Sequence, residues 1–414
     1  MEANLDKAKE ILEKNNQQHI LNFYDELTNE QRELLINQIL KTDFENLNKL
    51  YINSFNDVTI STDKITPIPY FSKNKLSGKD SSLYTSIGES FISNAEVAVL
   101  TLAGGQGTRL GYSGPKGCYE IDVPPKKSLF EFTCDKLKFV FHKYRVYLPW
   151  YIMVSPSNST ETISYFYKKN FFDYPKEKVY FFSQGVLPIL DTMGKVILDN
   201  IFTIKTASNG NGDVFSAFDS AGLIKTLENQ NIKWISIAGI DNILLDSIDP
   251  LFIGLSAYNN SDIAAKSISK SNLSDSDWIF AYIDNAVNII DPCFLSKEML
   301  NSKNKDGLLC YNQINILSHL FSFDAFVSAT RFELPYHRAF KKNHFINEEG
   351  MKVVPDMPNS FKFEKFIFDV FKYYENFTLL EVEASSEFAP IKSFTGNATP
   401  ETALNLYLKK FNLF

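Results

Sequence analysis

The sequence predicts an α/β protein in which a mostly parallel, mixed sheet carries helices on its faces, with a helical region at the amino terminus. Three observations predict it. Short apolar runs at 97–103, 150–154, 179–182 and 234–238 alternate with helical patterns, the order of βαβ units. A glycine-rich loop follows the first run directly, as in open sheets that bind ligands beyond the carboxyl ends of their strands. Before residue 90, apolar side chains recur instead at helical spacing.

Taken in order, Ala8, Ile11, Leu12, Ile20 and Leu21 begin the helical region. Thr28-Asn-Glu-Gln31 is a capping-box pattern ahead of Leu34, Leu35, Ile39 and Leu40. Phe44, Leu47, Leu50 and Tyr51 mark a further helix, and Thr66-Pro-Ile-Pro69 closes the region. This part reads as a packing layer without chemistry. Ser128-Leu-Phe-Glu131 is a second capping box, opening a helix that runs past Lys138. Trp150–Val154 is a strand, and Ser159 caps a helix bearing Ile163, Phe166 and Tyr167. Val179–Phe182 is a strand leading to Ser183-Gln184-Gly185. A hairpin is expected around Met193-Gly194, then a polar loop at Ser208-Asn-Gly-Asn-Gly-Asp213. Trp234–Ala238 is a strand that leads to Gly239-Ile-Asp241-Asn242. The glycine loop, Gln184 and Asp241 each follow a strand, so they are expected on one rim. Trp278–Ile283 and Ala286–Ile290 flank the turn pair Asp284-Asn285 as a hairpin. Asn312-Gln-Ile-Asn315 is expected to open a helix through Leu320, and Phe363–Tyr374 to form an aromatic-rich helix. A strand at Phe377–Val382, the segment Glu387–Lys392 and a last helix from Thr399-Pro400-Glu401 complete the chain.

Composition bounds the function. The chain has 414 residues, 44% hydrophobic and 22% charged, with 36 Phe, which suits a large soluble core. Its net charge of −7 argues against a nucleic-acid partner bound through a broad basic face. A phosphorylated small molecule needs only a few local cations. Cys118, Cys134, Cys293 and Cys310 form no C-x-x-C pair, against a zinc site or disulfide framework. The first residues are charged and lack an apolar h-region. No apolar run approaches the roughly 20 residues that span a bilayer. A cytoplasmic protein with no membrane partner is expected.

The glycine loop narrows the chemistry. A P-loop needs G-x-x-x-x-G-K-[ST], but the lysine here stands in Pro115-Lys116-Gly117. A dinucleotide fingerprint needs G-x-G-x-x-G, and position 110, where its third glycine would fall, is leucine. What stands here is Leu102-x-Gly104-Gly105-x-Gly107-Thr108-Arg109-Leu110-Gly111, then Pro-Lys-Gly. That compound motif is the signature of nucleotidyltransferases that join a sugar phosphate to a nucleotide.

The resemblance extends through Pro149-Trp-Tyr-Ile-Met153, Phe182-Ser-Gln184-Gly185, Leu187-Pro188, Gly210-Asn-Gly212, Asp241-Asn-Ile-Leu244, Asp249-Pro250, the Asn312/Asn315 pair, Glu364-Lys-Phe-Ile-Phe-Asp369 and Phe388-x-Pro-x-Lys392. Over residues 90–410 the chain resembles the eukaryotic-type UDP-N-acetylhexosamine pyrophosphorylases of the UDP-sugar pyrophosphorylase family. The resemblance implies a Rossmann-like central domain. The expected layout is a helical region at 1–90, a catalytic domain at 91–395 and a short helical end at 396–414. The β-rich carboxyl-terminal domain common in the family is not expected, and with it a monomer is expected.

The family reaction joins UTP and N-acetylglucosamine 1-phosphate into UDP-N-acetylglucosamine and pyrophosphate, with Mg²⁺ or Mn²⁺. The sugar phosphate attacks the α-phosphorus in line. Both phosphates are already ionised, so positioning and charge neutralisation suffice. The resemblance implies Arg109 on the β/γ-phosphates, Lys116 near the α-phosphate and Lys392 on the sugar phosphate. It implies Asp241 as metal ligand, since Mg²⁺ takes few carboxylates plus phosphate oxygens. Gln184 offers the donor and acceptor that the uracil imide edge needs. Leu102, Ala103, Gly104, Gly105 and Gly210 would frame the base, with Asn211 on the sugar–phosphate side. Trp278, Asp291, Asn312 and Asn315 would face the sugar. Here the chain departs from the family, which usually has a glycine in the strand that begins near Trp278, a glutamate at the position of Asp291, and Ala-Gly where Gln-Ile stands between the asparagines. A UDP-glucose or broad-specificity UDP-sugar pyrophosphorylase therefore stays open. So does a catalytically silent UDP-sugar-binding regulatory protein.

Overall fold

The alternating pattern condenses as two compact units in a computed structural model that describes residues 2–55, 62–270 and 277–413. One unit joins Met1–Thr59 to Gly185–Asp213 and Leu334–Phe366. Its helices are α1 (Glu2–Lys14), α2 (Asn29–Lys41) and α3 (Phe44–Asn53). α2 starts at the expected capping box, where Thr28 and Gln31 satisfy each other's backbone N–H groups. The inner faces, with Leu12, Leu35, Ile39 and Phe44, pack with Leu190, Leu198 and Phe363. The hairpin near Gly194 forms, with Leu190 bridged to Val196 and Gly194 at φ +77°.

The aromatic helix expected at Phe363–Tyr374 is corrected. Ser360–Glu364 is a strand, paired with His337–Lys341 on one side and Leu190–Asp191 on the other. Phe361 and Phe363 are buried with Lys362 between them partly exposed, a period of two. Only Ile367–Tyr373, in the other unit, coils, as a 3₁₀ helix. Phenylalanine suits a pleated surface as readily as a helix, so composition did not separate the two.

The second unit comprises Ile60–Gln184, Val214–Glu333 and Ile367–Phe414. Its central sheet uses β1 (Val97–Leu102), β2 (Trp150–Val154), β3 (Val179–Ser183), β4 (Trp234–Gly239), β5 (Ile263–Ser269), β6 (Gln313–Ser322) and β7 (Phe377–Glu381). From Phe71–Ser72 at one edge the order is β7, β5, β6, β4, β1, β2, β3. β6 runs antiparallel to both neighbours, and the other pairs along this row are parallel. The result is the expected α/β fold, a mostly parallel mixed sheet of Rossmann-like type. A hairpin of Ile279–Ile283 and Ala286–Ile290 attaches where Ile279 meets Ile314, turning through Asp284 and Asn285 at positive φ.

β6 corrects the helix expected from Asn312 to Leu320. Its run Ile314, Ile316, Leu317, Leu320 satisfies either period. Pairing on both edges, with β4 and β5, decides for strand. A residue at positive φ, Leu317 at +54°, interrupts it, in a stretch where the register with β5 shifts.

Helices cover the sheet: α4 (Gly78–Ser93), α5 (Leu129–Tyr144), α6 (Ser159–Lys168), α7 (Pro250–Tyr258) and α8 (Pro400–Lys410). α5 begins at the Ser128–Glu131 capping box as expected. Asn158, rather than Ser159, holds the position before α6. No helix among the described residues is long and apolar enough to cross a membrane. α4 and α7 touch backbone to backbone. A Cβ on Gly254 would lie 1.7 Å from the Tyr84 carbonyl oxygen, and one on Gly88 1.8 Å from that of Pro250. Gly254→Ala is therefore expected to destabilise the unit by about 3 kcal/mol, read as a fall in denaturation midpoint. An unchanged midpoint refutes the close crossing.

Candidate active site

Matched parallel register brings four strand ends to one rim. Gly239 of β4 lies opposite Leu102 of β1, Leu102 opposite Met153 of β2, and Val154 opposite Ser183 of β3. The glycine loop, Gln184 and Asp241 leave the sheet there, as expected. Leu102 and Ala103 are buried, Gly104 is half-buried and Gly105 exposed. The loop closes on itself: Gly107 N–H donates to Gly114 O (2.9 Å) and Lys116 N–H to Gly105 O (3.0 Å). Gly111 ends a short turn at φ +58°, where glycine carries no steric cost. A Cβ on Gly104 would come within 1.9 Å of Gln184 Nε2. Gln184 is 5% exposed, and its Oε1 has no hydrogen-bond partner among the described residues. A buried acceptor left without a donor is costly, and this one lies against the loop.

The cations divide into two groups. Arg109 and Lys392 are exposed, and neither pairs with a carboxylate among the described residues. Lys116 instead donates to Asp241 Oδ2 at 3.2 Å, with both side chains partly buried. Lys392 reaches the rim through backbone. Ile391 N–H donates to Asp241 O (2.9 Å). Asn242 Nδ2 donates to Glu387 O (2.8 Å), while Asn242 Oδ1 accepts from Ala389 N–H (2.9 Å). Beneath this splice lies a buried ion cluster. Lys266, fully buried on β5, donates to Glu387 Oε2 (2.5 Å), Asp249 Oδ2 (2.9 Å) and Asp246 O (2.9 Å). Lys73 bridges the same two carboxylates at 2.7 and 3.2 Å. Burial alone would raise the Asp249 carboxyl, yet the Lys266 and Lys73 ammoniums hold it well below the usual carboxylate range.

Antiparallel β6 supplies the remaining wall. Ser318 pairs with Ala238 near the end of β4, so residues 313–317 extend past that end. There Leu317 lies beside Gly239. Asn315 N–H donates to Trp278 O (2.8 Å). Asn315 Oδ1 accepts from Leu317 N–H (3.0 Å) and contacts His319 Nε2 at 3.1 Å. Burial pushes His319 down to about 3, so it is neutral. An amide oxygen can only accept, which puts the ring proton on Nε2. With its oxygen engaged twice, Asn315 offers its NH₂ group as the donor that remains. Trp278 packs on Phe368, with ring centroids 5.4 Å apart.

The other residues expected to face a sugar are partly spent on structure. Asp291 Oδ1 accepts from Cys293 N–H (2.9 Å) and so caps a turn. Asn312 is buried and its Oδ1 accepts from Gln313 Nε2 (3.0 Å). Gly210 and Asn211 belong to the other unit. There Gly210, at φ +91°, leaves room for the Lys365 backbone.

Sequence reasoning missed Asn158, Asn242 as a structural group, and His319. Asn158 Nδ2 donates to the carbonyls of Ala103 (3.0 Å) and Gly105 (3.1 Å). The signal available was a polar residue just beyond a buried strand on the rim; nothing pointed from it to the glycine loop.

A profile of the UTP–glucose-1-phosphate uridylyltransferase family matches residues 41–407. The chain belongs to this family. A probable UDP-N-acetylglucosamine pyrophosphorylase of Dictyostelium discoideum is 34% identical over 411 residues, covering 93% of this chain and 83% of the relative. The UDP-N-acetylglucosamine pyrophosphorylase of Saccharomyces cerevisiae is 36% identical over 360 residues, covering 84% of this chain and 76% of its own. These relatives place this member in the UDP-N-acetylglucosamine pyrophosphorylase branch of the family, a group of nucleotidyltransferases. The Trypanosoma brucei uridine diphosphate N-acetylglucosamine pyrophosphorylase, solved in complex with an inhibitor, superposes with a TM-score of 0.83 at 26% identity. That match covers 98% of this chain and 84% of the other.

In this member of the family, His319 makes the stability of the β6 wall depend on pH. Its folded pKa lies below its ordinary 6.5, so below that pH the unfolded chain takes the proton first. The stability His319 supports is present above about 6.5 and is lost by about 1.4 kcal/mol per unit as pH falls toward 3. His319→Gln should lack this component. Denaturant titration of both proteins at about pH 6.5 and about pH 5.5 checks it; parallel losses in the two refute it.

Proposed function

We propose that the chain transfers the uridylyl group of UTP to N-acetylglucosamine 1-phosphate, releasing pyrophosphate and forming UDP-N-acetylglucosamine. The observation that carries this reading is Gln184, buried against Gly104 on the nucleotide rim with its Oε1 unsatisfied. The imide edge of uracil presents an N–H for that oxygen and a carbonyl for the amide, so binding the base removes the cost of the unpaired acceptor.

The phosphates then meet the cations of the rim. Arg109, on the exposed turn of the glycine loop, takes the β- and γ-phosphates that leave as pyrophosphate. Lys116 takes the α-phosphate region, and Lys392 the phosphate of the attacking sugar. No protein nucleophile or general acid is needed: the attacking oxygen is already anionic and so is the leaving group. The residues hold two anions in line and neutralise the charge between them. Family precedent adds a divalent cation, Mg²⁺ or Mn²⁺. Among the described residues no cluster of three His, Cys, Asp or Glu side chains forms a protein cage. A lone carboxylate, Asp241, fits an ion that takes most of its oxygens from phosphates and water. When bound, such an ion would neutralise phosphate charge beside Lys116.

The NH₂ group of Asn315 supports the N-acetylated sugar, because it can donate to an acetamido carbonyl oxygen. Comparing turnover with N-acetylglucosamine 1-phosphate and with glucose 1-phosphate tests this. A preference for glucose 1-phosphate overturns the sugar assignment. UDP-sugar binding without pyrophosphate release from any sugar phosphate overturns the enzymatic reading in favour of a silent binder.

Two substitutions separate the cations. Lys392→Ala should raise KM for the sugar phosphate by about tenfold or more, the loss of one charge-assisted contact. Arg109→Ala should lower kcat by about 10²-fold, the scale of losing one preorganised donor to developing charge. Unchanged constants in both variants refute the clamp.

A further inference from the structure

Two buried asparagines bond to backbone and to none of the side chains assigned to the phosphates or the base, and we infer that each positions one half of the site: Asn158 the nucleotide half, Asn242 the sugar-phosphate half. The inference rests on the uridylyltransferase reading and assigns it two positioning residues.

Asn158 stands immediately before α6, where an asparagine ordinarily caps the helix with its side chain. It makes no capping bond. At 1% exposure, it spends its amide elsewhere: Oδ1 accepts from Ser155 N–H at 2.8 Å, and Nδ2 donates to the carbonyls of Ala103 and Gly105 at 3.0 and 3.1 Å. Those carbonyls flank Gly104. In a trans peptide the C=O and N–H point in opposite directions. Turning both carbonyls toward Asn158 therefore turns the N–H groups of Gly104 and Gln106 away from it. These two glycine-loop N–H groups, on alternate residues, are thereby available to an anion on the side away from Asn158. The same contacts hold Gly104 against Gln184, so Asn158 sets base and phosphate contacts together.

Asn242 is built alike. It follows Asp241 directly, is buried, and acts as a rung between two backbones. Its Nδ2 donates to Glu387 O and its Oδ1 accepts from Ala389 N–H. Ile391 N–H then bonds to Asp241 O, and Lys392 follows at once. The same two backbones meet in a single antiparallel bridge at Asn242 and Pro390, with Ile243 N–H on Ala389 O (3.4 Å), and the side-chain rung braces that short bridge and so helps fix how far Lys392 stands from Asp241 and Lys116.

Both asparagines make their contacts with the backbone of a loop that carries the reacting groups, so each acts through others. A purely structural role would lower stability and disturb both substrates alike. A positioning role splits them, and that split is the test. Asn158→Asp keeps the side-chain size but sets a carboxylate against two carbonyl oxygens; Asn158→Thr keeps one donor. Asn242→Asp and Asn242→Ser do the same for the other loop. Initial rates are measured with each substrate varied in turn, together with thermal melting of every variant.

Asn158→Asp should raise KM for UTP by about tenfold or more and leave KM for N-acetylglucosamine 1-phosphate within about twofold. Asn242→Asp should show the reverse pattern, with Asn158→Thr and Asn242→Ser intermediate. Shifts in both KM values within a single variant, or lowered melting with neither KM changed, overturn the inference. Calorimetric titration with UTP alone separates it from the functional reading. A wild type that binds UTP but releases no pyrophosphate refutes the reaction, and Asn158 then stands or falls on whether Asn158→Asp weakens UTP binding. A wild type that does not bind UTP refutes both.

Discussion

Every charged group proposed for this site depends on the in-register parallel pairing of β4, β1, β2 and β3. Parallel strands that end level place their following loops side by side. Here that pairing puts the glycine loop, Gln184 and Asp241 on a common edge although they are spread over about 140 residues of chain. A register slip in any one pair would turn its side chains to the opposite face and carry its loop away from the others. The two central strands resist such a slip because every residue of β1 and β2 is buried.

On this frame the lysines take two kinds of work. Lys266 and Lys73 lie among carboxylates under the rim, where a buried ammonium without partners would be expensive. Their cluster ties β5 to the segment that ends in Lys392. Arg109 and Lys392 lie in the open, with no carboxylate paired to them among the described residues. Lys116 is between the two: it is held beside Asp241, so a cation and a carboxylate already share the edge on which two anions have to meet. In a chain of net charge −7, that local arrangement makes an anionic substrate compatible with an acidic protein.

Much of this was legible beforehand. The capping boxes at Thr28 and Ser128, the buried strands, the hairpin at Asp284-Asn285 and the common rim all follow from local patterns, and local patterns carry them because each depends on neighbours in sequence. The misreadings share a cause as well. Ile314 to Leu320 fits two periods, and only the strands on either side chose one. Phe363 likewise became a strand residue by pairing with Arg338, in a strand whose neighbouring Phe361 pairs with Leu190 about 170 positions away. Asn312 and Asp291 have residue types that suit a sugar, and the structure engages both in local bonds.

The sequence by itself determined the class of chemistry. A glycine loop whose third fingerprint glycine is missing and whose lysine is displaced into Pro-Lys-Gly rules out the dinucleotide and P-loop arrangements through the identities of adjacent residues, and those are fixed in one dimension. Only the tertiary structure decided which groups are spent and which remain available. The unsatisfied oxygen of Gln184 and the clamps made by Asn158 and Asn242 are consequences of contact across distant segments, and the engagement of Asn315 oxygen by Leu317 and His319 depends on the irregular backbone of β6. Whether a polar atom is already bonded is a property of its surroundings in space, and no pattern along the chain contains it.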